Sequence, residues 1–362
     1  MRKESEIVII GAGIMGSSLA YHLAKRGKEV TVLEMNEICS GTSSTTAAWL
    51  WPSDKRPMYY GRLAKEAYDM YMTLEEELGA DFELRINGSL EIARNQEELE
   101  DLKKLSAGCV ELGYNARILT PEETLEMEPS VRKDIVGANY VESDGHLNPF
   151  LLVNAYIQAA KKFGAEVNTY TKVEDFILED NRIIEIVTNK GSIKPGLVVC
   201  AAGIYSRGLG QKLGLNAHVK PERGFTLVTE KLPHVLNHTV CGARQTVSGN
   251  IILGFIADKV DDDCLDRRMY IRGLNWAAKD AINDFPSFKD INIIRSYTGI
   301  RCKPEDKVPI LGPTEKIENF WFHLAHSAFS VNPACSSRVA EVICGEKTLD
   351  ALGEFRYTRF KD

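Results

Sequence analysis

The sequence predicts a mixed α/β fold in which a Rossmann-like nucleotide-binding domain is joined to a second, strand-rich domain. Three observations carry that prediction. Residues Glu6 to Glu34 read as a complete strand–helix–strand unit around a glycine loop. A further apolar run, Leu197 to Cys200, ends in Ala201-Ala202-Gly203, and residues 217 to 256 read as a succession of strands.

The first unit is the most informative. Ile7 to Ile10 is a β-branched run of the kind buried on both faces of a parallel sheet. It enters Gly11-Ala12-Gly13-Ile14-Met15-Gly16, after which Leu19, Leu23 and Ala24 keep helical spacing to Gly27. Val30 to Leu33 is a second buried run and ends on Glu34. Gly11 permits the tight turn, Gly13 lets the backbone approach a pyrophosphate, and Gly16 lets helix pack closely on strand. The helix start, including Ile14 and Met15, offers N–H groups to phosphates, and Glu34 accepts from ribose hydroxyls. Dinucleotide binding is therefore expected.

Cys39 to Trp49 is small and hydroxyl-rich, and Thr42, Ser43, Ala47 and Ala48 are expected to approach a second phosphate or a flat ring. Residues 61 to 78 carry Leu63, Ala67, Met70, Tyr71 and Leu74 on one stripe, a helix ended by Gly79. Residues 82 to 93, with Asn87-Gly88 between two runs, predict a hairpin. Residues 95 to 112 form a charged helix, and Thr120-Pro121 starts another. The turn Asp144 to Pro149 opens a helix over residues 150 to 163. Val167 to Tyr170 reads as a strand, and Phe176 to Val187 as a hairpin around Glu179-Asp180-Asn181. Asp261-Asp262-Asp263 is an acidic loop tip to which no metal role is given, and residues 270 to 284 are helical. Tyr297 to Leu311 follows, then a strand at Phe320 to Leu324. Pro333 is expected to open a last helix at 334 to 344.

A chain of 362 residues favours more than one lobe around a common core. Its formal net charge of −7 and lack of a basic stripe argue against nucleic acid. Eight scattered cysteines with no CxxC read as reduced thiols rather than a metal site. No apolar stretch approaches the roughly 20 residues of a membrane span. A cytoplasmic location follows from these features, with homo-oligomerisation left open.

In order of segments, the chain resembles the flavin-dependent amino-acid oxidase family that includes D-amino-acid, glycine and sarcosine oxidases. The resemblance spans nearly the whole sequence. It rests on GAGIMG with Glu34, DGHLNP before a helix and GAEV, the VVCAAG strand, and GIRCKPEDKVPILG. In the last, the family's Gly-x-Arg, Asp, Pro and Gly fall on Gly299, Arg301, Asp306, Pro309 and Gly312.

That resemblance implies FAD held in a domain of discontinuous segments, 1–80, 143–215 and 295–362. Residues 81–142 and 216–294 would form an antiparallel-sheet substrate domain. It places Val173 at the adenine, Ala202, Gly203 and Gly299 beside the cofactor, and a helix N-terminus with Asn332 and Ala334 at the flavin. Arg301 takes the role of clamp for a substrate carboxylate, a task suited to the two parallel donors of a guanidinium. The implied reaction oxidises the C–N bond of a small or N-substituted amino acid to the imine, by hydride transfer to flavin N5. Cys302 stands where the family usually has proline, and it does not match the cysteine that links flavin in sarcosine oxidases, so FAD is expected to be non-covalent. Ala325-His326-Ser327 replaces a Gly-His-Gly, which predicts a crowded flavin face and slow reaction with oxygen. Three other readings are a catalytic subunit that passes electrons to a partner, a flavin-binding protein without catalysis, and a nicotinamide-dependent dehydrogenase. The last leaves the Arg301 motif unexplained.

Overall fold

The computed structural model describes residues 1–254 and 265–360, with the backbone of 257–259. The acidic tip Asp261-Asp262-Asp263 lies outside the described residues.

A central sheet organises the cofactor half. Its order runs Ile310–Pro313, Phe320–Leu324, Gly191–Cys200, Glu4–Ile10, Val30–Leu33, Glu166–Asn168. Glu4–Ile10 lies parallel to both neighbours, pairing Ile7 with Leu197 on one side and with Val30 on the other. Phe320–Leu324 continues the parallel set, and Ile310–Pro313 closes it antiparallel. The buried runs at 7–10, 30–33 and 198–200 are therefore the sheet's interior, covered on both faces. The helices Ile14–Lys25, Met58–Leu78, Pro149–Lys162 and Ala328–Ile343 share one core with it. The hairpin Val173–Glu179 and Arg182–Thr188 extends the Gly191–Cys200 strand from the side.

The glycine loop shows why its sequence is needed. Gly11 has φ +108, and a Cβ there would lie 2.7 Å from the carbonyl oxygen of Ala201. At Gly16 a Cβ would lie 2.0 Å from the carbonyl oxygen of Gly11, so helix and strand close only over hydrogen. Gly16 thus serves packing and is not part of the cavity wall described below.

Most of the remaining strands form two antiparallel-rich sheets, and Trp49–Leu50 pairs antiparallel with Gly145–His146 in a small third one. Val219–Lys231 is flanked by Ile293–Pro304 on one side and by Asn250–Leu253 and Ala257–Lys259 on the other. Ser89–Ala93 and Gly137–Val141 anchor a four-stranded sheet with Ala116–Leu119 and Thr239–Val240. Thr120 forms the expected cap, with Glu123 completing a capping box.

Two expectations fail. Residues 82–93 do not fold as a hairpin about Asn87-Gly88. Arg85 bridges to His146, and Ser89–Ala93 pairs with Gly137–Val141, so distant partners outcompete the local turn. The last helix also begins earlier, at Ala328, and carries Pro333 inside it. Pro333 has no N–H to give the Phe329 carbonyl, which instead accepts the Tyr71 hydroxyl at 2.6 Å. The helix survives because a neighbouring helix fills the gap.

Candidate functional site

One cavity of about 670 Å³ runs from Glu34 to Arg301 and His326. That size falls in the roughly 300–1,000 Å³ range of cofactor and ligand sites. Gly11, Gly13, Ile14, Met15, Glu34, Thr42, Ser43, Ala47, Ala48, Val173, Ala202, Gly203, Gly299 and Arg301 all line it. Asn332 and Ala334 do not. Asn332 is buried inside the last helix and donates to the Tyr71 hydroxyl at 2.7 Å, and Ala334 is fully buried. Ala328, Phe329 and Ser330 take their place at the wall, because the helix starts at Ala328.

At one end Glu34 accepts hydrogen bonds from the backbone N–H groups of Ala12 at 2.8 Å and Asn36 at 2.9 Å. Its carboxylate is thereby fixed at the mouth of the glycine loop, and further lone pairs remain for hydroxyl donors. Two helix N-termini, at Ile14 and Ala328, meet the same cavity, and neither has a side-chain hydrogen bond at its N-cap. Their partial positive charges suit anionic groups. An acid for ribose, a glycine approach for pyrophosphate and a second helix end beyond it fit FAD.

The 42–48 segment is held against both ends. Ser43 Oγ accepts from Ile14 N–H at 3.0 Å, and Thr42 donates to the Ile300 carbonyl at 2.5 Å. Ala48 is left-handed, with φ 55, a conformation that costs an L-residue about 1–2 kcal/mol. Gly299 admits this segment, since a Cβ there would lie 2.1 Å from Thr45 Oγ1. Gly299→Ala is therefore expected to push Thr45 away and weaken FAD roughly tenfold or more. Titration of apoprotein with FAD checks this, and wild-type affinity in the variant would contradict the fit.

At the other end Arg301 stands directly opposite Glu222 in the paired strands, and its Nη1 donates to Glu222 Oε2 at 3.1 Å. Lys303 pairs with the same carboxylate. Burial pushes the Glu222 pKa upward, but Lys303 and Arg301 together hold it below its ordinary value. The guanidinium lies over Gly224, where a Cβ would come within 2.9 Å of Nη2. His326 is driven down to about 4, first by burial and then by Arg301 and Lys55, so its imidazole is neutral at pH 7. Ser327 adopts φ 53, in the left-handed region that favours glycine, and its hydroxyl lies 3.1 Å from His326 Nδ1. Cys302 lines the cavity as a thiol pushed up to about 12 by burial.

Sequence reading missed Glu222, Gly224, Trp49, Trp51 and Lys55. Alternation along Val219–Lys231 puts Glu222, Gly224 and Thr226 on one face, a usable signal. Only strand register brings Glu222 to Arg301, and nothing local in the sequence marks Lys55.

A family model described as FAD dependent oxidoreductase matches residues 6–342. The chain is 29% identical to an opine oxidase subunit of Rhizobium meliloti, over 99% of this chain and 98% of that one. It is 27% identical to glycine oxidase of Bacillus subtilis (strain 168), with the same shares covered. Among solved structures, L-proline dehydrogenase from P. horikoshii superposes with TM-score 0.92 and 28% identity, covering 99% of this chain and 98% of that one.

Proposed function

The chain belongs to the FAD-dependent oxidoreductase family, and on that premise we propose that it oxidises the C–N bond of a small or N-substituted amino acid to the imine. The observation that carries this reading is the single cavity that joins a dinucleotide end, at Glu34, to a cationic end, at Arg301. Bound FAD supplies the two-electron acceptor. The protein's own work is placement. Arg301 orients the substrate carboxylate, which fixes the α-carbon at one distance and angle. Neutral His326 leaves the substrate end free of an added charge that would repel an ammonium. The N-terminus of Ala328–Ile343 turns partial positive charge to the cavity wall, which would stabilise negative charge on reduced flavin held there.

Non-covalent FAD fits the buried Cys302 thiol, because a thiol with so high a pKa is a poor nucleophile. The division into a cofactor domain (1–80, 143–215, 295–362) and a substrate domain (81–142, 216–294) is part of the proposal. So is a cytoplasmic location, which the free thiols Cys39, Cys109 and Cys200 suit. Among the described residues no helix is long and apolar enough to cross a membrane. A second reading, transfer of electrons to a partner chain rather than to oxygen, is favoured by the opine oxidase relative, which is itself named as one subunit of its enzyme.

The test is the visible spectrum of the purified protein. It should be yellow, release FAD on acid precipitation, and bleach without oxygen when glycine, sarcosine or proline is added. Flavin that stays with the denatured chain would remove the non-covalent claim. A flavin that no amino acid bleaches would remove the catalytic one.

A further inference from the structure

Lys55 is 7% exposed and lines the same cavity as Arg301. Among the described residues no carboxylate lies within ion-pair distance of it. Its ammonium lies 6.0 Å from the centre of the Trp51 ring, a weak contact for a buried cation. Burying a charged amine without a partner costs several kcal/mol, so a buried lysine is ordinarily paired. Here the carboxylates that act on it, Asp54 and Asp144, do so from a distance. Asp54 is exposed to solvent, and Asp144 accepts the Ser53 and Ser89 hydroxyls at 2.8 and 2.7 Å, both on Oδ2, while its buried Oδ1 has no hydrogen-bond partner among the described residues and lies beyond ion-pair distance of Lys55. Burial lowers the pKa of Lys55, and these two acids partly offset that.

The position is built rather than accidental. The Lys55 carbonyl accepts from Arg56 at 2.9 Å, and the backbone N–H of Trp51 donates to Ser330 Oγ at 2.9 Å. The segment is thus tied to the start of the helix that ends the cavity. Lys55, Arg301 and His326 all line the one cavity, so two cations face the same space. Arg301 is already matched by Glu222, whereas among the described residues Lys55 has no matching acid.

We infer that Lys55 binds a second anionic group of the substrate, so that the chamber selects amino acids bearing a second carboxylate. This rests on the reading of Arg301 as the clamp for the first. Two substrate shapes share that chemistry: an N-carboxyalkyl amino acid, with carboxylates on either side of a secondary amine, and an acidic side-chain amino acid. The bond oxidised is the same C–N bond in both, and Lys55 changes only which molecules are held.

The experiment has a binding arm and a reduction arm, both on the FAD-loaded protein. In the first, glutarate and butyrate are titrated while the flavin absorbance is followed. In the second, anaerobic flavin reduction is timed with iminodiacetate against sarcosine and with aspartate against alanine. The wild type should prefer the dianion in the binding arm and in one pair of the reduction arm, and that pair identifies the substrate shape. Lys55→Met should cut the dicarboxylate-to-monocarboxylate ratio roughly ten- to a hundredfold, the span expected for a hydrogen bond to a charged group. Lys55→Arg should restore most of it, which a lysine acting as a proton acceptor would not allow. A ratio unchanged in Lys55→Met, or no dianion preference in the wild type, overturns the assignment. Lys55-dependent glutarate binding without reduction by any amino acid would uphold it while removing the proposed reaction.

Discussion

Arg301→Ala should fold, bind FAD and stay yellow, yet lose roughly ten- to a hundredfold in the rate constant for flavin reduction by its amino-acid substrate at low concentration. Folding survives because Glu222 keeps Lys303 as partner when the guanidinium is removed. The loss is that of one charge-assisted, two-pronged contact to a carboxylate, about 1.5–3 kcal/mol. A fully desolvated pair would cost more, about 3–5 kcal/mol. Arg301 falls short of that limit, since its side chain is 27% exposed and Glu222 already balances part of its charge. Glu222→Gln provides a control of opposite sign: with the competing carboxylate neutralised, substrate carboxylate should bind more tightly to Arg301. Arg301→Lys should recover only part, because an ammonium cannot reproduce the parallel donors. The decisive comparison uses an amine that lacks the carboxylate. It should be a poor substrate for the wild type and lose little more in Arg301→Ala. If both substrates fall by the same factor, Arg301 does not touch the carboxylate.

How far the sequence is readable depends on how local each determinant is. The Glu6–Glu34 unit is legible because strand, loop, helix and acid are contiguous, and each residue's job is set by its neighbours in the chain. Gly16 against the Gly11 carbonyl is such a case. Arg301 is legible through a spaced motif that matches a family, but its pairing with Glu222 is not, because that depends on register between strands far apart in the chain. The start of the last helix is hidden for a related reason. Pro333 looks like a start when only the chain is considered, and the Tyr71 hydroxyl that lets the helix run through it comes from another helix. The same displacement draws Asn332 and Ala334 into the site expected from sequence. Asn87-Gly88 misleads in the same way, its turn signal outweighed by pairing with residues 137–146. Lys55 is a lone basic residue in a loop, and only its burial without a matching acid among the described residues distinguishes it.

Glu34→Ala should raise the dissociation constant for FAD about a hundredfold, near 3 kcal/mol, the largest effect expected of any single change at the dinucleotide end. Two losses combine. The ribose hydroxyls lose a charged acceptor, and the N–H groups of Ala12 and Asn36 lose the oxygens that now fix the glycine loop. Glu34→Gln separates them. The amide keeps the shape but turns one acceptor into a donor, which must then face the N–H of Ala12 or of Asn36. Glutamine should therefore recover only a small part of the affinity despite its size. The loop contribution is present without cofactor, so the melting temperature of the apoprotein should fall in both variants. The ribose contribution appears only with cofactor, so the fall should be larger for holoprotein at a fixed FAD concentration. Calorimetry of both variants with and without cofactor, with FAD titrations alongside, measures the two parts. An equal fall in apoprotein and holoprotein, with FAD affinity unchanged, would confine Glu34 to bracing the loop and leave the ribose to another acceptor.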